Sequence, residues 1–148
     1  MKKYFWLLFF LPGISGAVEF GILPDRELTP GNVDPLLTKD VICSPEFRTG
    51  KYRNVSVEVK KKVFVEYGIP WEHYGEYEVD HLVSLELGGS NDIKNLWPEA
   101  YEPSPGAREK DKVENYLRRE VCAGRMDLED ARKQIETNWY FVYQELKK

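Results

Sequence analysis

Between Tyr77 and Val121 the chain changes its hydrophobic period once, and that change limits the folds open to it. Tyr77, Val79, His81 and Val83 alternate with Glu78, Asp80 and Leu82, the period of two that belongs to a strand. Gly88-Gly89-Ser90-Asn91-Asp92 is a strong turn signal. Leu96 and Trp97 restart an apolar stretch, which Pro98 is expected to end. Ser104-Pro105 then reads as an N-cap followed by proline at the first helical position. Val113, Leu117 and Val121 recur every four residues, one face of a helix that Gly124 closes. The order is strand, glycine turn, short strand, loop, helix, which places the chain in the α+β class.

The flanks add helices and an irregular segment. Residues 18–55 are rich in Pro, Gly, Asn and Asp and read as turns wrapping the domain. Ser56 is a candidate N-cap with Glu58 in the first turn, and Val59, Val63 and Tyr67 lie on one face before Gly68 and Pro70 stop the helix. Asp127 opens a last helix whose apolar set is Leu128, Ala131, Ile135, Trp139, Val142 and Leu146. A length of 148 residues suits one domain with a real core.

The first residues stand apart. Lys2 and Lys3 precede an apolar run from Tyr4 to Leu11, broken by Pro12 and Gly13, and small residues follow at Ser15 and Ala17. The run is short of the roughly 20 residues that span a bilayer. Charge, apolar run and small residues in that order predict a secretory signal peptide over 1–17, cleaved before Val18, and an exported protein, secreted or periplasmic. In such a protein the even count of two cysteines predicts a Cys43–Cys122 disulfide. Two lone cysteines and two histidines, His73 and His81, argue against structural zinc.

Removing residues 1–17 takes away two lysines and no acid, leaving a formal net charge of about −6. Phosphate binding is driven by Lys and Arg, so a nucleic-acid partner would rely on local clusters. Two exist in the sequence: Lys60, Lys61 and Lys62, and Arg108, Lys110, Lys112, Arg118 and Arg119.

The residues that carry chemistry are Asp80 and His81. Neighbours on a regular strand point to opposite faces, so a single site using both would need a twist or bulge there. The stretch YEVDHLVSLELGGSNDIKNLWPEA, with its D-H-x6-G-G-x5-N-L spacing, resembles the HNH nuclease motif. In that motif an Asp-His pair, a Gly-Gly turn and an Asn-Leu pair sit in a ββα-metal fold. The segments LTPGNVDPLLTKDVIC and KDKVENYLRREVCAGRMDLEDARKQIETNW look like parts of a bacterial and phage subgroup of HNH-type proteins.

The resemblance implies a ββα-metal core over 77–121 within a single domain, 18–148, and a secreted endonuclease, on DNA before RNA. It makes His81 the general base, because a neutral imidazole takes a proton from water near neutral pH. Asp80 would hold a divalent cation, Mg2+ first and Mn2+, Ni2+ or Zn2+ as alternatives, that neutralises the departing 3′-oxygen. Asn95 would pin the loop between the strands and help orient His81. Lys110 would contact phosphate.

The sequence also departs from the pattern. Where many HNH proteins carry a helix His or Asn that completes the metal site, Arg108 stands, and a guanidinium cannot ligate a metal. Glu109 is the candidate substitute, and Arg108 becomes a candidate substrate contact. Ser84 stands where relatives often have Pro. The alternative reading is an HNH-like module that binds nucleic acid or a protein without cutting it.

Overall fold

A two-stranded antiparallel sheet joins β1 (Tyr77–His81) to β2 (Leu96–Ala100). The computed structural model describes residues 21–148, so the expected signal peptide lies outside the described residues. The register is unbroken: Tyr77 faces Ala100, Val79 faces Pro98, Asp80 faces Trp97 and His81 faces Leu96. Pro98 does not end the second strand as expected. In a sheet of two strands each has a free edge, where a missing N–H removes nothing from the ladder.

Strand alternation gives the sheet two chemically different faces. Val79 and Leu96 lie on one, packed with Val63 and Phe64 of the helix α2 (Val57–Glu66) and with Ile69. Ser56 caps this helix, its hydroxyl accepting from Val59 N at 3.3 Å. Glu78, Asp80, Trp97 and Glu99 lie on the other face. There α3 (Ala107–Cys122) reaches the sheet through Lys110 and Glu114, while Val113, Leu117 and Val121 are fully buried in the larger core.

The helix α3 starts later than Ser104-Pro105 suggests. Gly106 is its N-cap, and the Glu109 carboxylate accepts from Gly106 N at 3.0 Å. A Cβ at position 106 would overlap the carbonyl oxygens of Ala100 and Tyr101, so only glycine lets the chain pass there. Asp127 caps α4 (Leu128–Glu145) by accepting from Glu129 N at 2.8 Å. This last helix is broken at Asn138 (φ −167°, ψ 84°), whose side chain recaps the next turn through Phe141 N. The Arg26 guanidinium donates to the Thr137 carbonyl freed by the break.

The N-terminal segment has one short α-helix, α1 (Lys39–Ile42), and a single 3-10 turn at Thr49–Lys51, and is otherwise irregular. The Cys43–Cys122 disulfide ties it to the end of α3 across 79 residues. On a chain-entropy basis a loop of that size stabilises by about 4.5 kcal/mol, an upper-end figure. A second tie runs through Arg132 of α4, which donates to Leu87 O and Leu37 O. No helix among the described residues is long and apolar enough to cross a membrane.

Candidate functional site

The loop between β1 and β2 is shaped by two glycines and one amide. Gly88 has φ +79°, a conformation side chains rarely adopt, and a Cβ on Gly89 would overlap the Val83 carbonyl. The Asn95 side chain, fully buried, fills the loop from inside. Its Oδ1 accepts from Val83 N at 2.9 Å and Asn32 N at 3.2 Å, and its Nδ2 donates to Val83 O and Ser90 O. One amide therefore fixes the backbone just beyond His81 and the segment that leads into Asn91.

His81 is 2% exposed at the end of β1. Its Nε2 lies 3.0 Å from Asn91 Oδ1. Asn91 is itself oriented by the 52–54 segment: its Nδ2 donates to Tyr52 O at 2.7 Å, and its Oδ1 accepts from Asn54 N at 3.4 Å. The amide oxygen thus faces the imidazole, and only a protonated Nε2 can bond to it. The neutral ring then carries its lone pair on Nδ1, which is buried without a hydrogen-bond partner. Burial lowers the His81 pKa below the ordinary 6.5, with Arg53 and Lys110 adding to it and Asp80 and Asn91 opposing. Burial thus favours the neutral ring, and the Asn91 contact places its lone pair on Nδ1.

Asp80 looks the other way. The strand is regular, so the Asp-His pair does not converge on one point; no bulge turns the two side chains together. Asp80 Oδ2 accepts from Lys110 Nζ at 2.6 Å, and the same ammonium donates to His81 O at 2.8 Å and to Glu114 Oε1. Ser84 Oγ donates to Glu114 Oε2 at 2.7 Å.

Glu99 completes the cluster, buried at 1% exposure with neither carboxyl oxygen at hydrogen-bonding geometry. Three carboxyl groups thus surround one ammonium. Burial pushes Asp80 up, but Lys110, Glu99 and His81 together outweigh it and hold Asp80 at about 2. Burial raises Glu114 to about 7 and Glu99 well above its usual range, with Lys110 opposing both. Burial also works against the Lys110 charge, yet Asp80, Glu114 and Glu99 hold its pKa well above the usual value. One full ion pair, Lys110 with Asp80, shares the layer with two carboxyl groups biased toward their neutral forms.

This arrangement revises the roles expected on α3. Lys110 was expected to meet substrate phosphate, but it has no exposed surface and three acceptors inside the protein. Glu109 was expected near a metal, but its carboxylate caps Gly106 and pairs with Lys112 at 3.4 Å. Arg108 is exposed, 3.6 Å from Glu102 and stacked over Tyr101. Arg118 donates to Ile42 O, so the basic residues of α3 do not form one solvent face.

A divalent cation does not fit these residues as they stand. The cation place beside Asp80 is taken by the Lys110 ammonium, and no group of three His, Cys, Asp or Glu among the described residues could hold a metal ion.

Sequence reasoning missed Asn91, Glu99, Glu114 and Arg53. Glu114 had a visible signal, since it follows Lys110 by four residues on a helix. Glu99 follows Pro98 and was hidden by the expected strand end. Asn91 reads as an ordinary turn residue. The chain matches no family model, no curated protein and no solved structure to which it was compared.

Proposed function

We propose that this protein is an exported phosphodiester hydrolase of nucleic acid, an endonuclease acting on DNA before RNA, with His81 as general base. One observation carries the reading: Asn91 holds the Nε2–H of a neutral imidazole and leaves Nδ1 as the basic nitrogen. The strand–loop–strand–helix order around it is the one an HNH-type core requires, and Asn95 braces the loop.

The reaction requires the site to open until water reaches the buried Nδ1 of His81, which then accepts a proton from that water as the water oxygen attacks phosphorus. The bond from phosphorus to the 3′-oxygen breaks, and that oxygen takes a proton from solvent. The Asn91 oxygen keeps its bond to Nε2–H and stabilises the imidazolium that forms. The Lys110 ammonium occupies the cation position beside Asp80.

A second reading is favoured by that same ion pair and by the near-complete burial of His81: an HNH-like module that binds nucleic acid or a protein without cutting it. Cleavage of supercoiled plasmid by the purified protein, with and without Mg2+ or Mn2+, separates the two. Cutting that His81→Ala abolishes supports the hydrolase, and binding without cutting supports the module.

A further inference from the structure

A small polar recess of about 230 Å3 opens beside the sheet, lined by Arg53, Lys60, Tyr74, Tyr77, Glu78 and Tyr101, among others. It is below the roughly 300–1,000 Å3 of sites that enclose a whole drug-sized ligand, and it suits one charged group. The two cations come from different elements. Lys60 projects from α2, its Nζ 3.3 Å from Tyr74 Oη. Arg53 sits in the segment before α2, half exposed and 3.5 Å from the Glu78 carboxylate.

The backbone on both sides of Arg53 is tied to the His81 site. Asn91 donates to Tyr52 O and accepts from Asn54 N, while the same amide oxygen receives His81 Nε2. One side chain therefore holds both the imidazole and the backbone on either side of Arg53. Arg53 is also near enough to act electrostatically on His81, Glu78 and Asp111. Its ion-pair partner Glu78 is half-buried and lies at the long distance of 3.5 Å. A guanidinium held in that way favours a planar, bidentate oxyanion.

We infer that Arg53 and Lys60 form a phosphate subsite that holds the phosphate next to the scissile one in a nucleic-acid strand. The inference rests on the hydrolase reading for its substrate, but the subsite stands or falls by binding. Arg53 takes the non-bridging oxygens with its fork, Lys60 adds a point charge, and the exposed ring of Tyr74 borders the path of the strand.

The test uses a fluorescently labelled single-stranded oligonucleotide and the His81→Ala protein, so that binding is read without cutting. Adding Arg53→Gln should weaken binding about five- to tenfold and lower the salt slope by about 1, as expected for one lost phosphate contact. Arg53→Lys should recover part of the affinity, and Lys60→Gln should act in the same direction as Arg53→Gln. Lys133→Gln, on α4 and lining a different groove, controls for general loss of charge. Equal weakening by Arg53→Gln and Lys133→Gln overturns the subsite, as does unchanged affinity in Arg53→Gln or no binding at all. Plasmid cleavage by the wild type is scored separately. Cutting with no effect of Arg53→Gln on binding leaves the hydrolase and removes the subsite, while Arg53-dependent binding without cutting does the reverse.

Discussion

The side-chain oxygen of Asn91 lies 3.0 Å from Nε2 of His81, and the Asn91 amide nitrogen is committed to the Tyr52 carbonyl at 2.7 Å. An amide pinned in this sense dictates the tautomer of its partner. The ring that results is protonated on Nε2 and bare on Nδ1, the form a general base needs.

In nitrogen-15 NMR of the neutral protein, His81 Nε2 is therefore expected at the shift of a protonated nitrogen and Nδ1 at that of a bare one. The reverse assignment contradicts the geometry. Asn91→Ala should lower activity by about 10- to 100-fold, because it removes the acceptor that orients the ring. The pH dependence has a definite sign. Burial places the His81 pKa below 6.5, so activity is full at neutral pH and falls as pH drops through the lowered value.

Lys110→Met removes the one ammonium from a buried layer of three carboxyl groups. Leaving charges uncompensated in such a layer typically costs about 3–5 kcal/mol. Urea denaturation should show a loss of that order or no folded state. A midpoint equal to wild type would show that the ion pair contributes little to the fold.

Glu114 has a folded-state pKa raised from 4.5 to about 7. The folded protein binds this proton more tightly than the unfolded chain, so the associated stability is full below pH 4.5 and is lost as pH rises to about 7. Glu114→Gln removes that dependence, and its amide can still accept from Lys110 through the oxygen while donating to the Ser84 hydroxyl. Relative to wild type the variant should gain stability across the window, by up to about 3 kcal/mol. Asp80 contributes in the opposite sense and lower down, its stabilisation being lost as pH falls from 3.8 toward about 2. Parallel stability curves for the wild type and Glu114→Gln would contradict the raised value.

Much of this fold is legible in residue order. The Ser56 and Asp127 caps, the Val113, Leu117 and Val121 stripe, and the pairing of Cys43 with Cys122 follow from local rules and from cysteine count. The Gly88-Gly89 turn follows too, since its backbone excludes a side chain. What was not legible depends on contacts between distant segments. That Lys110 turns inward to Asp80 is a fact about how α3 lies on the sheet, 30 residues away in sequence. The break of α4 at Asn138 is invisible because the apolar spacing continues through it, with Trp139 and Val142 still buried. The link from Asn91 to His81 and Arg53 requires the 52–54 segment to fold back across 37 residues, and no periodicity encodes that.

The central claim, that His81 is the base of a phosphodiester hydrolase, is tested most directly by the two histidines of the chain. His73 is exposed, with Nδ1 2.7 Å from Glu76, and serves as an internal control. In a plasmid-nicking assay at pH 7, wild type and His73→Ala should cut at the same rate, and His81→Ala should fall by about 10² to 10⁴. Cleavage by a folded His81→Ala protein at the wild-type rate would contradict the account.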